Sequence, residues 1–437
     1  MKSKKILFIA IAVMVLVSLS GTIVLAAGVA ALAQLDEGDV FTGCVNNQSG
    51  FLSKVAVGFE PAKPCNPEEH QITWDRAGPA FEGRIAALEE RVAELEAPFG
   101  TLELFVDCGA GDTIGDALAE AQTHAGPVRV AISGVCEENV GIGRDDVTLF
   151  GLERSDGIHG LSTGGFPAVL LHFARRVGFS NMTISGGNSG MLAYGSSFEA
   201  SNVTIRDTRD RGIVAYRGST GDIRDCTITG HPNGGVNAST ESFIEIANCE
   251  ISHNVADGVN VGPGGGSIIV KASEIFDNET GAVVYPGCIL WLTDTLVANN
   301  QEFGVLAFGG DLMMDGATRI VDNGLSGVSL GTGAIAIIGP GPVLVEGNGD
   351  GIAVEIGSAL RADALIVRNN NGNGITISDL STMYLSPGGG VSQIVDNDGW
   401  GISCEGPPPV AVLGGQVFFN PSTIMFSGND SGPTNCQ

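Results

Sequence analysis

The chain has 437 residues, of which 22 are basic and 49 acidic, so its formal charge at pH 7 is −27. This charge repels phosphate backbones, which argues against nucleic acid as a partner, and it disfavours polyanionic sugars unless a divalent cation mediates the contact. The 65 glycines and the low share of charged residues, 16%, are typical of an exported, β-rich protein with little helix.

A basic start followed by a long uncharged run predicts a signal peptide over residues 1–33. Lys2, Lys4 and Lys5 precede the run, which ends at the small-residue site Ala31-Leu32-Ala33. The run is also long enough to span a bilayer, so a retained anchor is the alternative. We therefore expect a secreted, extracellular protein or one of the bacterial cell envelope.

Residues 34–79 are predicted to form a small, disulfide-bonded β-rich module. Its pattern begins with Gly38-Asp39-Val40-Phe41-Thr42-Gly43-Cys44-Val45-Asn46 and ends with Ile72-Thr73-Trp74-Asp75-Arg76-Ala77-Gly78-Pro79. This pattern resembles a short module that precedes the main domain of many bacterial surface proteins. The resemblance implies nothing specific about activity.

Residues 80–99 predict a short coiled-coil helix that serves as a stalk. Apolar residues are spaced by three and four positions with charged residues between them, which is the pattern of an a/d seam. The seam covers less than three heptads, so it is short for holding chains together alone. Either it joins chains, as a homo-trimer, or it docks on its own chain; the seam residues are Phe81, Ile85, Leu88, Val92, Leu95 and Phe99.

A glycine followed by apolar residues recurs between residues 190 and 401. The successive intervals are 22, 23, 23, 23, 23, 23, 24, 23 and 27 residues, and a fixed period of this length indicates a solenoid. The repeat glycines are Gly190, Gly212, Gly235, Gly258, Gly281, Gly304, Gly327, Gly351, Gly374 and Gly401.

A second apolar column lies six or seven residues before each glycine, with a polar turn between the two columns. Ile205, Ile228, Ile251 and Ile275 are examples. Alternation within the short strands, as in Val259-Asn260-Val261, favours β-strands over the longer helix of a leucine-rich repeat. We therefore predict an all-β fold, a right-handed parallel β-helix over residues 100–437 with coils of about 23 residues.

The same periodicity aligns polar residues in two columns of the stack. Residues that tolerate left-handed backbone and bond their own main chain are common there, so we interpret both columns as structural ladders. One column holds Asn202, Asp225, Asn248 and Asp294, and the other holds Asn254, Asn300, Asn323, Asn370 and Asn397.

The nine cysteines of an exported chain favour disulfides between near neighbours. The predicted pairs are Cys44–Cys65, Cys108–Cys136 and Cys404–Cys436, and Cys288 is the unpaired cysteine. Cys226 and Cys249 are one period apart and stack in the core. At this point both a disulfide between them and a stack of small residues remain possible.

The segment that opens the repeat carries a family resemblance. Phe105-Val106-Asp107-Cys108-Gly109-Ala110-Gly111 is followed by a helical pattern over 116–123 and by Gly134-Val135-Cys136-Glu137-Glu138-Asn139-Val140. This order is similar to the first strand, capping helix and second strand of bacterial right-handed β-helix repeat proteins in the pectate-lyase-like superfamily. The resemblance covers residues 101–436 and implies a helix that covers the open end of the core.

The candidate site is a polar column in the turns of the repeat. Such a cluster of His, Asp and Arg could supply a general base and bind a sugar carboxylate, although a solvated turn explains the same residues. The column holds Asp207, His231, His253 and Asp277, and Arg209, Arg211 and Arg217 lie beside its first member. No catalytic residue is assigned, and the Asp-Pro-His motif of epimerases with this fold is absent from the sequence.

No metal ligand or cofactor is assigned, although calcium is compatible with the acidic turns. Asn348-Gly349-Asp350-Gly351 and the turn residues Asp322, Asp396 and Asp398 offer carboxylates and carbonyls, which calcium prefers. Turn chemistry accounts for them equally well.

Two functions follow, and the sequence leaves open whether the protein is an enzyme. The first is a secreted or cell-surface scaffold that binds a polysaccharide or glycan surface without chemistry. The alternative is a carbohydrate-active enzyme, namely a polysaccharide lyase, hydrolase or epimerase acting on an extracellular polysaccharide.

Overall fold

The structure, a computed structural model, describes residues 40–49, 51–57, 59–75, 100–162, 164–386, 391–405, 416–419 and 424–436. The chain divides into two compact units between Ala97 and Pro98. The predicted signal peptide and the predicted coiled-coil helix lie outside the described residues. Within those ranges, no helix is long and apolar enough to cross a membrane.

The N-terminal unit contains a three-stranded antiparallel sheet. Its strands are Val40–Asn46, Leu52–Val57 and Glu69–Asp75, and the first of them lies in the middle. A disulfide joins Cys44 to Cys65, and Lys54 forms an ion pair with Glu69 at 2.5 Å. The residues of the predicted β-rich module thus form a small sheet closed by one disulfide.

The second unit is a parallel β-solenoid whose coils each supply a strand to three faces, as predicted. Face 1 consists of Val140–Ile142, Val169–His172, Met191–Tyr194, Ile213–Tyr216, Val236–Ala238, Asp257–Val261, Thr280–Val284, Val305–Phe308, Val328–Gly331, Ile352–Val354, Ile375–Ser378, Trp400–Glu405 and Gly432–Thr434. Face 2 consists of Leu102–Asp107, Val128–Ser133, Val147–Gly151, Thr220–Arg224, Phe243–Ala247, Ser267–Lys271, Ile289–Thr293, Asp311–Asp315, Ile335–Ile338, Ala359–Ala362, Thr382–Leu385 and Gln416–Phe419. Face 3 consists of Val135–Cys136, Gly157–Gly160, Thr227–Thr229, Glu250–Ser252, Glu274–Phe276, Leu296–Ala298, Arg319–Val321, Val343–Glu346, Leu365–Arg368, Ser392–Val395 and Ile424–Ser427. Two long strands, Val177–Gly186 and Ser197–Arg206, bend from face 2 into face 3.

The repeat period sets the register between coils. Ile205 pairs with Ile228, Ile228 with Ile251, and Ile251 with Ile275, and all four side chains are fully buried. Residues one coil apart are therefore neighbours at the inter-strand spacing, about 4.8 Å, and each coil buries its apolar side chains against the next.

The repeat glycines are required by packing inside the turn that leads from face 3 to face 1. A Cβ added at Gly258 would lie 2.7 Å from Cγ2 of Ile275, 2.7 Å from the carbonyl oxygen of Gly281 and 2.8 Å from Nδ2 of Asn278. Real side chains do not approach this closely, so the position accepts only glycine.

A buried asparagine ladder runs along the same turn, which confirms the prediction made from its five members. Each side-chain Nδ2 donates to Oδ1 of the next asparagine at 2.8 to 3.1 Å. The ladder comprises Asn254, Asn278, Asn300, Asn323, Asn348, Asn370, Asn397 and Asn429. The second predicted column, which includes Asn202 and Asp225, lies where face 2 bends into face 3, and its residues adopt left-handed backbone.

A short helix, Ile114–Glu120, packs on the core cluster through Ile114, Ala117 and Leu118. The side chain of Thr113 accepts a hydrogen bond from the Asp116 N–H, and the carboxylate of Glu138 accepts two more from the first turn. Such caps satisfy N–H groups that a helix leaves unpaired. The predicted capping helix is thus present.

The remaining cysteines divide into bonded and free. Disulfides join Cys108 to Cys136 and Cys404 to Cys436, and Cys288 is a buried thiol. Cys226 and Cys249 are also free, and the Cys226 N–H donates to the Cys249 sulfur at 3.3 Å. In the next coil Ser273 accepts the corresponding bond from Cys249. The stacked thiols therefore continue a column of hydrogen-bond acceptors, and of the two alternatives the structure contains the stack.

Candidate functional site

The four residues of the predicted polar column do not share one position in their turns, because His231 occupies a different position from the other three. Asp207, His253 and Asp277 are second after the buried isoleucine of their coils, and each has left-handed backbone. His231 is third after Ile228 and fully buried. The prediction that the four side chains line one turn was therefore wrong for His231.

His231 is held inside the core as the neighbour of the asparagine ladder. Its Nδ1 lies 2.7 Å from Oγ1 of Thr208, its Nε2 lies 3.2 Å from the carbonyl oxygen of Ile205, and its main-chain N–H donates to Oδ1 of Asn254. Burial lowers the pKa of His231 from 6.5 to about 4. A neutral imidazole that bonds only to protein is a structural group and is not positioned to act on a ligand.

The other three members of the column are exposed and interact locally. Asp207 forms an ion pair with Arg206, its neighbour in sequence, at 2.5 Å. Nε2 of His253 lies 3.5 Å from Oδ2 of Asp277. Exposed pairs of this kind contribute little to stability. They form a solvated turn surface, not a convergent site.

The three predicted arginines separate along the surface. Arg209 donates through Nη1 to the carbonyl oxygen of Ser162 at 2.9 Å. Arg211 precedes the strand Ile213–Tyr216 and Arg217 follows it, so these two arginines flank opposite edges of face 1. Arg211 and Arg217 therefore lie beside face 1 and not beside the predicted turn column.

The outward side chains of face 1 are much less exposed than those of face 2, from which we infer a depression between its flanking turns. Val214 and Asn237 are 3% and 7% exposed although they point away from the core, whereas Ile337 on face 2 is 45% exposed. Outward side chains can be covered only by their neighbours and by the adjoining turns. We call this depression the face 1 groove.

Aromatic side chains form one edge of the face 1 groove. His172, Tyr194 and Tyr216 occupy the same position in consecutive coils. The rings of His172 and Tyr194 are stacked with centroids 5.7 Å apart, and the guanidinium of Arg217 lies 4.9 Å from the Tyr194 centroid. Such a row of rings offers flat apolar surface with polar groups at its rim.

Polar side chains occupy the floor and the opposite edge of the groove. Nδ2 of Asn237 donates to Oδ1 of Asn260 at 2.9 Å, and Nδ2 of Asn260 donates to Oδ2 of Asp257 at 2.6 Å. Arg211 and Asp257 hold equivalent positions two coils apart, with Gly234 in the coil between. Nε of Arg211 is buried without a hydrogen-bond partner.

Burial raises the pKa of the Asp257 carboxyl, and nearby Glu279 and Glu302 raise it further. The hydrogen bond from Asn260 and the charge of Arg211 act in the opposite direction. A carboxyl with a raised pKa, two coils from the guanidinium of Arg211, is the main titratable feature of the groove.

Metal binding has little geometric support in the described ranges. The one cluster of three potential ligands is Cys44, Cys65 and Glu69, and its two cysteines are joined in a disulfide. Asn348 belongs to the buried ladder, so it is not available in the acidic turn where calcium was considered.

Comparisons with known proteins agree with this architecture. Residues 167–323 match a family model described as the right handed beta helix region. No curated protein matches the chain.

Solved structures with the same fold are distant in sequence. The A-module of the mannuronan C-5 epimerase AlgE6 from Azotobacter vinelandii is 14% identical with a TM-score of 0.51, over 74% of this chain and 93% of that one. The pectate lyase Pel9A is 10% identical with a TM-score of 0.46, over 56% and 76%. The Dettilon tailspike protein is 12% identical with a TM-score of 0.44, over 74% and 64%. The family model and the likeness to the AlgE6 A-module thus confirm the predicted right-handed β-helix fold.

The groove residues could have been found from the repeat. Tyr194, Tyr216, Tyr285 and Phe308 each lie four residues after a repeat glycine, and Arg211 and Asp257 each lie one residue before one. The prediction placed the candidate site in the turns instead, because the turns contain His231 and His253.

Proposed function

We propose that the protein is a secreted or cell-surface scaffold that binds a glycan along the face 1 groove without transforming it. The row formed by His172, Tyr194 and Tyr216 is the observation that carries this proposal. Sugar rings present apolar faces that stack on aromatic rings, and the half-buried amide of Asn260 offers hydrogen bonds to hydroxyl groups. The three disulfides are compatible with an oxidising, extracellular compartment.

The structure favours a binding role over the chemistry first considered for the turn column. His231 is buried and neutral, and the exposed pair of His253 and Asp277 has no arginine among the hydrogen bonds of the described residues. Groups that act together on a substrate must converge within hydrogen-bond reach. The turn column lacks that convergence.

Binding to a panel of neutral and acidic polysaccharides, with and without calcium, tests the proposal. We expect Tyr194→Ala and Tyr216→Ala each to weaken binding about tenfold, which corresponds to one stacking contact. Phe105→Ala is the matched control, because Phe105 is an exposed aromatic residue on face 2. Equal losses in all three variants, or no binding to any glycan, would refute the proposal.

A second candidate function is a carbohydrate-active enzyme that uses the polar edge of the same groove. The raised pKa of Asp257 suits a general acid, and the partly exposed guanidinium of Arg211 could bind a sugar carboxylate. Product formation from the same panel tests this function. Turnover that Asp257→Asn abolishes and Asp277→Asn retains would favour the enzyme, whereas absence of turnover on every glycan leaves the binding role.

A further inference from the structure

Face 2 carries an exposed apolar strip that the face 1 groove does not use. The strip spans seven consecutive coils in two adjacent columns, and six of these coils supply its large apolar side chains. The apolar strip comprises Phe243, Ile289 and Ile335 in the first column and Ile269, Trp291, Met313, Ile337 and Tyr384 in the second. Ile269, Trp291 and Met313 are half-buried and the other five are exposed. Ser267 and Asp311 interrupt the first column, and Arg361 interrupts the second. We infer that the apolar strip is a second, independent binding site, for a neutral, unbranched polysaccharide chain that lies along the solenoid.

The dimensions of the strip fit a narrow linear ligand. Six inter-coil steps of about 4.8 Å give a length of about 29 Å, and the two columns are about 7 Å apart. The footprint is therefore on the order of 200 Å². A stable dimer buries about 800 Å² on each partner, so a second copy of this chain would need much more surface than the strip provides.

An extended peptide fits the strip less well than a sugar chain does. The strands of face 2 already use their main-chain groups to pair with the coils on both sides. A peptide lying flat on this face would find no backbone partners and would cover its own polar groups with apolar side chains. A sugar chain has apolar ring faces and carries its hydroxyls at the edges, where water or flanking polar residues can satisfy them.

The charges around the strip favour a neutral chain. Lys271 is neutralised by Glu245, whose Oε1 lies 2.9 Å from Nζ. Asp311 lies within the first column, between Ile289 and Ile335, and Asp315 lies at the other end of its strand. Anionic sugars would meet these carboxylates and the overall charge of −27, whereas a neutral chain meets no repulsion.

Two aromatic residues are placed to stack on sugar rings four coils apart. The indole of Trp291 is fixed by its Nε1, which donates to Oδ2 of Asp315 at 3.1 Å. The ring of Tyr384 lies 5.9 Å from the guanidinium carbon of Arg361. Between them the small side chain of Ala359 leaves a shallow cavity of about 240 Å³, which is below the usual size of a drug-sized ligand site and suits a single ring.

Calorimetric titration of the full chain with neutral hexasaccharides of glucose, xylose, mannose and N-acetylglucosamine tests the inference. A hexasaccharide of galacturonate serves as the anionic counterpart. We expect at least one neutral hexasaccharide to bind, Trp291→Ala to weaken it at least tenfold, and Trp291→Phe to retain most of the affinity. Because Trp291 lies outside the core, the melting temperatures of both variants should match that of the parent.

Tyr216→Ala separates this inference from the proposed function. If Trp291→Ala weakens hexasaccharide binding and Tyr216→Ala does not change it, the apolar strip is supported as the binding site. If only Tyr216→Ala weakens hexasaccharide binding, the face 1 groove is the binding site and the inference about the apolar strip is wrong. Preference for the galacturonate probe, lack of binding to every neutral hexasaccharide, or a dimer of the parent chain that Ile337→Asp dissociates in sedimentation would each overturn it too.

Discussion

The main-chain N–H of His231 donates a hydrogen bond of 3.1 Å to Oδ1 of Asn254, so the histidine stands where asparagines stand in the coils that follow. The position is fully buried, and the ring bonds to Thr208 and Ile205. This relationship turns a suspected ligand-binding residue into part of the core and makes the stability of the solenoid depend on pH.

We expect acid to destabilise the protein through His231, and His231→Asn to remove most of that effect. The pKa of the folded state, about 4, is below the ordinary value of 6.5, so between these values the unfolded chain binds a proton that the folded chain does not. The contribution of the neutral His231 to the free energy of unfolding is fully present above pH 6.5, and about 3 kcal/mol of it is lost as the pH decreases to 4. Denaturant unfolding at several pH values measures this.

His253→Asn is the matched control for the pH experiment, because His253 is exposed in the neighbouring coil. An unchanged acid response in His231→Asn, or an equal change in both variants, would contradict the assignment. Asparagine should fit at position 231, since its amide can continue the ladder towards Asn254.

Breaking the ladder in its middle should be costly. In Asn323→Ala the N–H and Nδ2 of Asn300 lose their shared acceptor, and Oδ1 of Asn348 loses a donor. Buried groups left without partners cost about 1 to 3 kcal/mol each, so we expect a loss of at least about 3 kcal/mol in the free energy of unfolding. Asp322→Asn, next to it on the surface, should change stability by less than about 0.5 kcal/mol.

Two glycine substitutions should have opposite outcomes. Gly258→Ala places a Cβ against Ile275, Asn278 and the carbonyl of Gly281, and we expect about 2 kcal/mol of destabilisation. A Cβ at Gly331, in contrast, meets no atom within 4 Å. Gly331→Ala should therefore be neutral or slightly stabilising. Thermal melting of the two variants checks the pair, and equal effects would show that the tight fit at Gly258 relaxes.

The predicted seam from Phe81 to Phe99 should make the chain trimeric. Sedimentation of the mature protein at micromolar concentration measures the state, and Leu88→Asp, which places a charge in the seam, should yield monomers. A parent chain that sediments as a monomer would favour the alternative in which the helix docks on its own chain.

The core could be predicted because its signal is periodic. Ile205, Ile228, Ile251 and the repeat glycines recur at nearly constant intervals, and a parallel stack converts that spacing directly into neighbours. The position of His231 was available from the same count, because His231 and Asn254 each lie four residues before a repeat glycine, whereas Asp207 and His253 lie five before theirs. The prediction missed it because Asp277, whose turn is one residue shorter, also lies four before its glycine and yet aligns with Asp207. The raised pKa of the Asp257 carboxyl could not be foreseen, because it depends on the burial of an outward-facing side chain.

The disulfides Cys108–Cys136 and Cys404–Cys436 tie the outermost described coils of the solenoid to their inner neighbours. A stack held only by nearest-neighbour contacts frays from its ends, where a coil has one neighbour instead of two. With a disulfide at each end, unfolding must begin at an interior coil, where two inter-coil interfaces have to separate at the same time. We therefore expect the solenoid to resist proteolysis because it unfolds slowly, even if its free energy of unfolding is modest.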